Sequence, residues 1–129
     1  PFQVKIRNIL DYLLEQKKLC DARINLLNWD TQLSNSEIFN SMQDIGNEGL
    51  LYLMTIARKN HAKKAVSLYV THLRNVESDL TGKDLRAMGY SPGPLYKDIL
   101  NALRKGRLEE TISSRLEEID FVNKNYPLD

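Results

Sequence analysis

Only one cysteine, Cys20, occurs in the chain. No disulfide can close within it, and no thiolate metal site can form from cysteine alone. That suits a reducing compartment, so a cytoplasmic location is expected. Cys20 follows Leu19 in an apolar helical stretch, which marks it for packing, since a reactive thiol needs an electropositive or base-paired setting. Glycine and proline are also scarce, six and four residues, which argues against a many-turned β fold. The two histidines, His61 and His72, have no partner at zinc-protease spacing, so no metal site is expected. No run of about 18 apolar residues is present, so no membrane span is expected. No leader is visible. The chain enters a helical pattern directly after Pro1, and a piece of a longer polypeptide is expected.

Chemistry-bearing motifs are missing as well. Gly82-Lys83 suggests a phosphate loop, but that pattern requires an earlier glycine and a following Ser or Thr, and Asp84 follows instead. Ser91, Ser113 and Ser114 lack the G-x-S-x-G context of a hydrolase nucleophile. Glu109, Glu110, Glu117, Glu118 and Asp120 read as a solvated face and as charge at the start of the last helix, where it suits the dipole. No catalytic residue is assigned, and a binding or assembly role is expected.

What is present is helical periodicity over 129 residues, with 42% apolar and 27% charged residues. Ile6, Ile9, Leu10, Leu13 and Leu14 form one apolar stripe. Leu19, Ala22, Leu26, Leu27 and Trp29 continue it or follow a kink near Lys17. Ser34 with Glu37 three residues on reads as a capping box, opening a short helix through Ile38, Phe39, Met42 and Ile45 that Gly46 ends. Asn47 starts a helix apolar over most of its surface (Leu50, Leu51, Leu53, Met54, Ala57), expected to be buried. Ala62, Val66, Tyr69 and Leu73 mark the next. Between Leu80 and Pro94 a short helix from about Lys83 to Met88 is stopped by a left-handed Gly89. Pro94 opens a helix at its first position, with Leu95, Ile99, Leu100 and Leu103 on one face and an end at Gly106. Thr111 caps a last helix through Ile112, Leu116, Ile119 and Val122. The expectation is an all-α fold, an irregular bundle of about six to eight helices, divided into segments 1–78 and 79–129.

The formal net charge is +1, which hides an asymmetry. From Arg58 to Arg107 there are eleven Lys/Arg against four Asp/Glu, and the rest of the chain has seven against thirteen. A basic middle can attract phosphate although the total is near zero.

Within that middle, Leu80 to Leu103 reads L-T-G-K-D-L-R-A-M-G-Y-S-P-G-P-L-Y-K-D-I-L-N-A-L. Its paired G-x-D-L and G-x-x-P-G-P elements resemble a signature of the C-terminal region of bacterial tRNA nucleotidyltransferases, the CCA- or A-adding, poly(A)-polymerase-like family. Gly82, Asp84, Leu85, Gly89, Pro92, Gly93, Pro94, Ile99 and Leu100 carry the likeness, about a fifth of the chain, and Arg107-Leu108 and the Glu-rich last helix resemble the family's ending. The resemblance implies a helical body and tail that hold the tRNA acceptor arm and elbow. It places catalysis in a head elsewhere in the full chain, where a carboxylate pair binds Mg²⁺ and CTP or ATP is consumed at tRNA 3′ ends. No Asp-x-Asp occurs here, so this piece is expected to bind no cofactor of its own and to transfer no nucleotide alone. Its implied partners are tRNA and that head, with no membrane and a homo-oligomer left open.

A physical account runs beside the resemblance. Gly82 and Gly93 permit close backbone approach, Asp84 can cap the short helix, and the helix opened by Pro94 offers free N–H groups to phosphate. Lys63, Lys64, Arg74, Lys83, Arg86, Lys97, Arg104 and Lys105 are the candidate RNA contacts, positioning the backbone without reading bases. The alternative is a protein–protein or dimerisation module, suggested by the apolar Leu50–Met54 stretch and an exposed rank of Tyr52, Tyr69 and Tyr96.

Overall fold

A computed structural model describes residues 1–27 and 32–128. Trp29 lies outside the described residues, as does the side chain of Leu26. The described residues are all-α, with seven α-helices and no strand. They are α1 (Phe2–Leu27), α2 (Asn35–Met42), α3 (Asn47–Ile56), α4 (Asn60–Thr71), α5 (Gly82–Ala87), α6 (Pro94–Leu108) and α7 (Arg115–Asn125), with a 3₁₀ turn at Leu73–Asn75. None is long and apolar enough to cross a membrane. The chain divides into two compact units, Pro1–Arg74 and Asn75–Asp129.

In the first unit α1 runs through Lys17 as one helix. Its C-terminal half packs on α3, because two glycines let the backbones approach. The N–H of Gly46 donates to Gln16 Oε1 at 2.8 Å, and Cys20 Sγ donates to the Gly49 carbonyl at 3.1 Å. A Cβ at Gly49 would collide with Gln16 and Ile45. Burial pushes the Cys20 thiol up, which keeps it inert. Ser34 caps α2, its Oγ accepting the Glu37 N–H at 3.3 Å. Gly46 does not end α2, which stops at Met42. Gly46 is instead the N-cap of α3, in extended backbone. Leu50 and Leu53 are buried with Phe39, Val66 and Tyr69, and the ring centroids of Phe39 and Tyr69 lie 6.0 Å apart. Each such side chain contributes roughly 1.5–3 kcal/mol. Two expectations fail on the same helix faces. Leu51 is 73% exposed, since α3 packs through only one side, and Tyr69 is a core residue, not part of an exposed rank.

The second unit is built on Leu80, Leu85, Tyr90, Ile99, Leu103, Ile112 and Val122. Both ends of its short turns are closed in the same way. After α5, Gly89 N–H reaches the Arg86 carbonyl and Tyr90 N–H the Leu85 carbonyl, both at 3.0 Å, with Gly89 at φ 103°. This is a Schellman motif. After α6 the pattern recurs: Glu110 N–H reaches Arg107 O at 3.3 Å and Thr111 N–H reaches Gly106 O at 2.9 Å, with Glu110 at φ 61°. Helix α6 therefore continues past the buried Gly106 to Leu108, and Glu109 and Glu110 belong to its end, not to the start of α7. Ser114, not Thr111, caps α7, accepting the Glu117 N–H at 3.1 Å. Thr111 is consumed by the preceding turn.

Candidate nucleic-acid interface

The signature segment of the second unit is a joint between helices. Asp84 Oδ2 accepts the Thr81 N–H at 2.8 Å and the Thr81 hydroxyl at 3.0 Å, closing a capping box on α5. Its Oδ1 accepts from Arg115 on α7 at 2.9 Å. The backbone N–H of Thr81, then the Arg115 guanidinium, hold the Asp84 carboxyl below its ordinary value. Leu85 is fully buried. Gly82 lies beneath the Tyr96 ring, where an added Cβ would sit 3.5 Å from Cδ2. The Tyr96 hydroxyl donates to the Tyr90 carbonyl at 2.7 Å, and that of Tyr90 to the Tyr126 carbonyl at 2.6 Å. Pro92, Gly93 and Pro94 are exposed, with Pro94 at the first position of α6 and Gly93 at φ 157°, ψ −167°. That backbone region is open essentially to glycine alone.

Glu118 was expected on a solvated face. It is instead fully buried, accepting the N–H groups of Asp79 and Leu80 at 3.0 Å each and Arg107 Nε at 2.7 Å. Arg107 also pairs with Asp79 at 2.9 Å. The sequence signal was its position four residues before the buried Val122, on the same face of α7.

Arg107 and Arg115 are engaged in these pairs, whereas Lys83, Arg86, Lys97 and Lys105 are exposed. Lys83 and Arg86 are exposed on α5 three residues apart, and so on one face. Lys97 and Arg104 are seven apart on α6, hence nearly aligned. Lys97 and Lys105 are exposed and Arg104 is half-buried.

In the first unit Lys63 and Lys64 are exposed on α4. Lys64 lines an open hollow of about 680 Å³ with Gln32, Arg58, Lys59, Asn60 and His61. Arg74 is turned elsewhere, its guanidinium donating to Asn47 Oδ1 at 3.1 Å beside an apolar groove formed by α3 and α4. The hollow thus joins Lys64 to Arg58, Lys59 and His61, which the candidate set omitted. The signal was available, because no Asp or Glu occurs from Gly49 to Val76. The hollow sits at the N-terminal end of α4, which has no side-chain cap and no acidic residue in its first turn. The N-terminal end of a helix is favourable toward an anion.

No protein-family model matches the chain, and no solved structure does. Over 84 residues, 65% of its length, the chain is 36% identical to an A-adding tRNA nucleotidyltransferase of Geobacter sulfurreducens. The match covers 10% of that protein, so the chain spans about a tenth of the length of this curated relative.

Proposed function

We propose that the chain is the tRNA-holding helical piece of a tRNA nucleotidyltransferase. In this reading it positions tRNA by shape and charge while a catalytic head, elsewhere in the full protein, adds nucleotides at the 3′ end with Mg²⁺ and ATP or CTP. The observation that carries this reading is the 36% identity to an A-adding tRNA nucleotidyltransferase. The all-helical fold and the solvent-facing cations support it. Helical RNA is bound mostly through phosphate, shape and 2′-OH contacts, which needs exposed Lys and Arg on rigid elements more than any shaped pocket. The cationic hollow at the start of α4 suits one phosphate group, and the faces carrying Lys83/Arg86 and Lys97/Arg104 suit others.

The test is tRNA binding by the 129-residue chain, titrated in salt. Each phosphate contact contributes a slope of about −0.7 to −0.9 in log K against log salt. A chain that binds tRNA with a slope of several units supports the proposal. Absence of binding at low salt overturns it for this chain.

A further inference from the structure

The cationic hollow at the start of α4 adjoins a second recess, and the two share Gln32, His61 and Lys64. Their chemistry differs. The hollow adds Arg58 and Lys59 to Lys64. The recess, about 140 Å³, has Leu27, Ile38, Ala65 and Leu68 as apolar walls, with the amides of Gln32 and Asn35 beside them. Among the described residues, none that lines either compartment is acidic. An apolar cavity of roughly 150 Å³ takes up a benzene molecule, so the recess has room for one six-membered ring. His61 belongs to both compartments, and its Nε2 is enclosed without a hydrogen-bond partner. A buried polar atom left so is costly, and the ring gains by turning toward a group that donates to it.

We infer that the joined depression holds one unstacked RNA nucleotide, with its phosphate among Arg58, Lys59 and Lys64 and the six-membered ring of its base in the recess. This rests on the tRNA-holding reading and adds a base contact to it. A free anion uses the cations but not the apolar walls, and an apolar ligand uses the walls but not the cations. A nucleotide uses both, because its ribose joins a phosphate to a flat ring. Unstacked bases are what RNA-binding proteins take up, on the faces of aromatic and His rings and by hydrogen bonds to the base edges. His61 supplies such a ring. The amides of Gln32 and Asn35 carry both donors and acceptors for a base edge, and a base N–H or amino group suits His61 Nε2. The exposed cations of α5 and α6 supply no contact of this kind, since phosphate contacts position RNA without reading it.

Amide NMR of the chain, titrated with uridine 5′-monophosphate and separately with inorganic phosphate, tests the site. The nucleotide is expected to shift the amides of Asn35 and Ile38 together with those of His61 and Lys64. It should bind about fivefold or more tighter than phosphate, the contribution of one stacked base. Ala65→Leu, which extends a side chain into the recess, should bring the nucleotide down to the affinity of phosphate. Phosphate binding should stay unchanged in that variant, which also reports that it is folded. A nucleotide that binds no tighter than phosphate, or that leaves Asn35 and Ile38 unshifted, would overturn the inference. The tRNA titration separates the site from the reading it rests on. There Ala65→Leu should weaken binding about fivefold with the salt slope unchanged, because no phosphate contact is lost. Binding of tRNA that is steep in salt yet indifferent to Ala65→Leu overturns the base contact and leaves the tRNA-holding reading standing. Nucleotide binding in the recess by a chain that does not bind tRNA upholds the recess and overturns that reading.

Discussion

Glu118 lies directly beneath Arg107: its Oε2 accepts the guanidinium Nε at 2.7 Å while its Oε1 takes the N–H of Leu80 at 3.0 Å. One carboxylate with no solvent exposure therefore ties α7 to α6 and to the segment leading into α5. A unit this small buries only about 60% of the surface its unfolded chain exposes, so a polar tie of this kind carries much of its definition. Removing one partner of a buried pair strands the other and costs about 3–5 kcal/mol. Glu118→Ala and Arg107→Ala are each expected to lose that much in urea unfolding, and the double variant less than the two together.

Glu110 occupies the left-handed position of the turn after α6, φ 61°, where the equivalent turn after α5 has Gly89. A side chain there costs roughly 1–2 kcal/mol. Glu110→Gly should raise the urea midpoint without changing the slope, by about 1 kcal/mol after the added chain entropy of glycine. Gly89→Ala should lower it by a similar amount. Equal midpoints in all three proteins would show that neither turn limits stability.

How far the sequence discloses the fold depends on where each signal is local. The left-handed Gly89 and Pro94 at the head of α6 are legible because both are imposed by the residue's own backbone preference. Ser114 rather than Thr111 as the cap of α7 is not legible. Both hydroxyls suit the role, and the choice is made by Glu110 taking a conformation normally left to glycine. Glu118 defeats composition for a different reason. A carboxylate is buried only when partners arrive from other helices, here the Arg107 guanidinium and two backbone N–H groups from the Asp79–Leu80 segment. The basic hollow was partly legible as an acid-free run. Its grouping of Lys64 with Arg58, Lys59 and His61, and the turning of Arg74 toward Asn47, are products of packing.

Acid should loosen the second unit through two carboxylates. Asp84 is held below its ordinary 3.8 by the Thr81 N–H and Arg115, and Glu117 below its ordinary 4.5 by the Ser113 N–H and hydroxyl. Groups with depressed folded-state values stabilise fully above the ordinary values and lose that contribution as pH falls from there through the folded ones. The melting temperature should fall in that window. Glu117 is exposed and Asp84 partly so, so the fall is small and weakens in salt. Asp84→Asn with Glu117→Gln should melt lower than the parent near neutrality and converge with it as pH falls through the folded-state values. A constant gap down to low pH would assign the effect to geometry instead of charge.

Gly49 sets the approach of α1 to α3. A Cβ there meets Gln16 and Ile45, and the Gly49 carbonyl accepts from Cys20. Overpacking of a tight contact costs typically 1–3 kcal/mol. Gly49→Val is expected to destabilise the first unit by that amount, with Gln16→Ala in the same chain recovering part of it. Failure of recovery would place the clash on Ile45.

The two units supply separate sets of exposed cations, so charge removal in each can be read independently. Arg58, Lys59 and Lys64 line one hollow in the first unit, where the uncapped start of α4 adds its N–H groups to theirs. Lys83 and Arg86 share a face of α5 in the second, and Lys97 and Lys105 are exposed on α6. A phosphate contact carries no sequence information, so its loss weakens binding alike for every RNA and lowers the salt slope by about one unit. Lys59→Ala/Lys64→Ala should therefore reduce the slope by about two if the hollow holds phosphate, and Lys83→Ala/Arg86→Ala should do the same if that face lies on RNA. Arg74→Ala should leave the slope unchanged, because its guanidinium is turned to Asn47. A variant set that lowers affinity for tRNA but leaves the slope intact would mean that its residues act through the fold, since a change in packing alters binding without changing the number of counterions released.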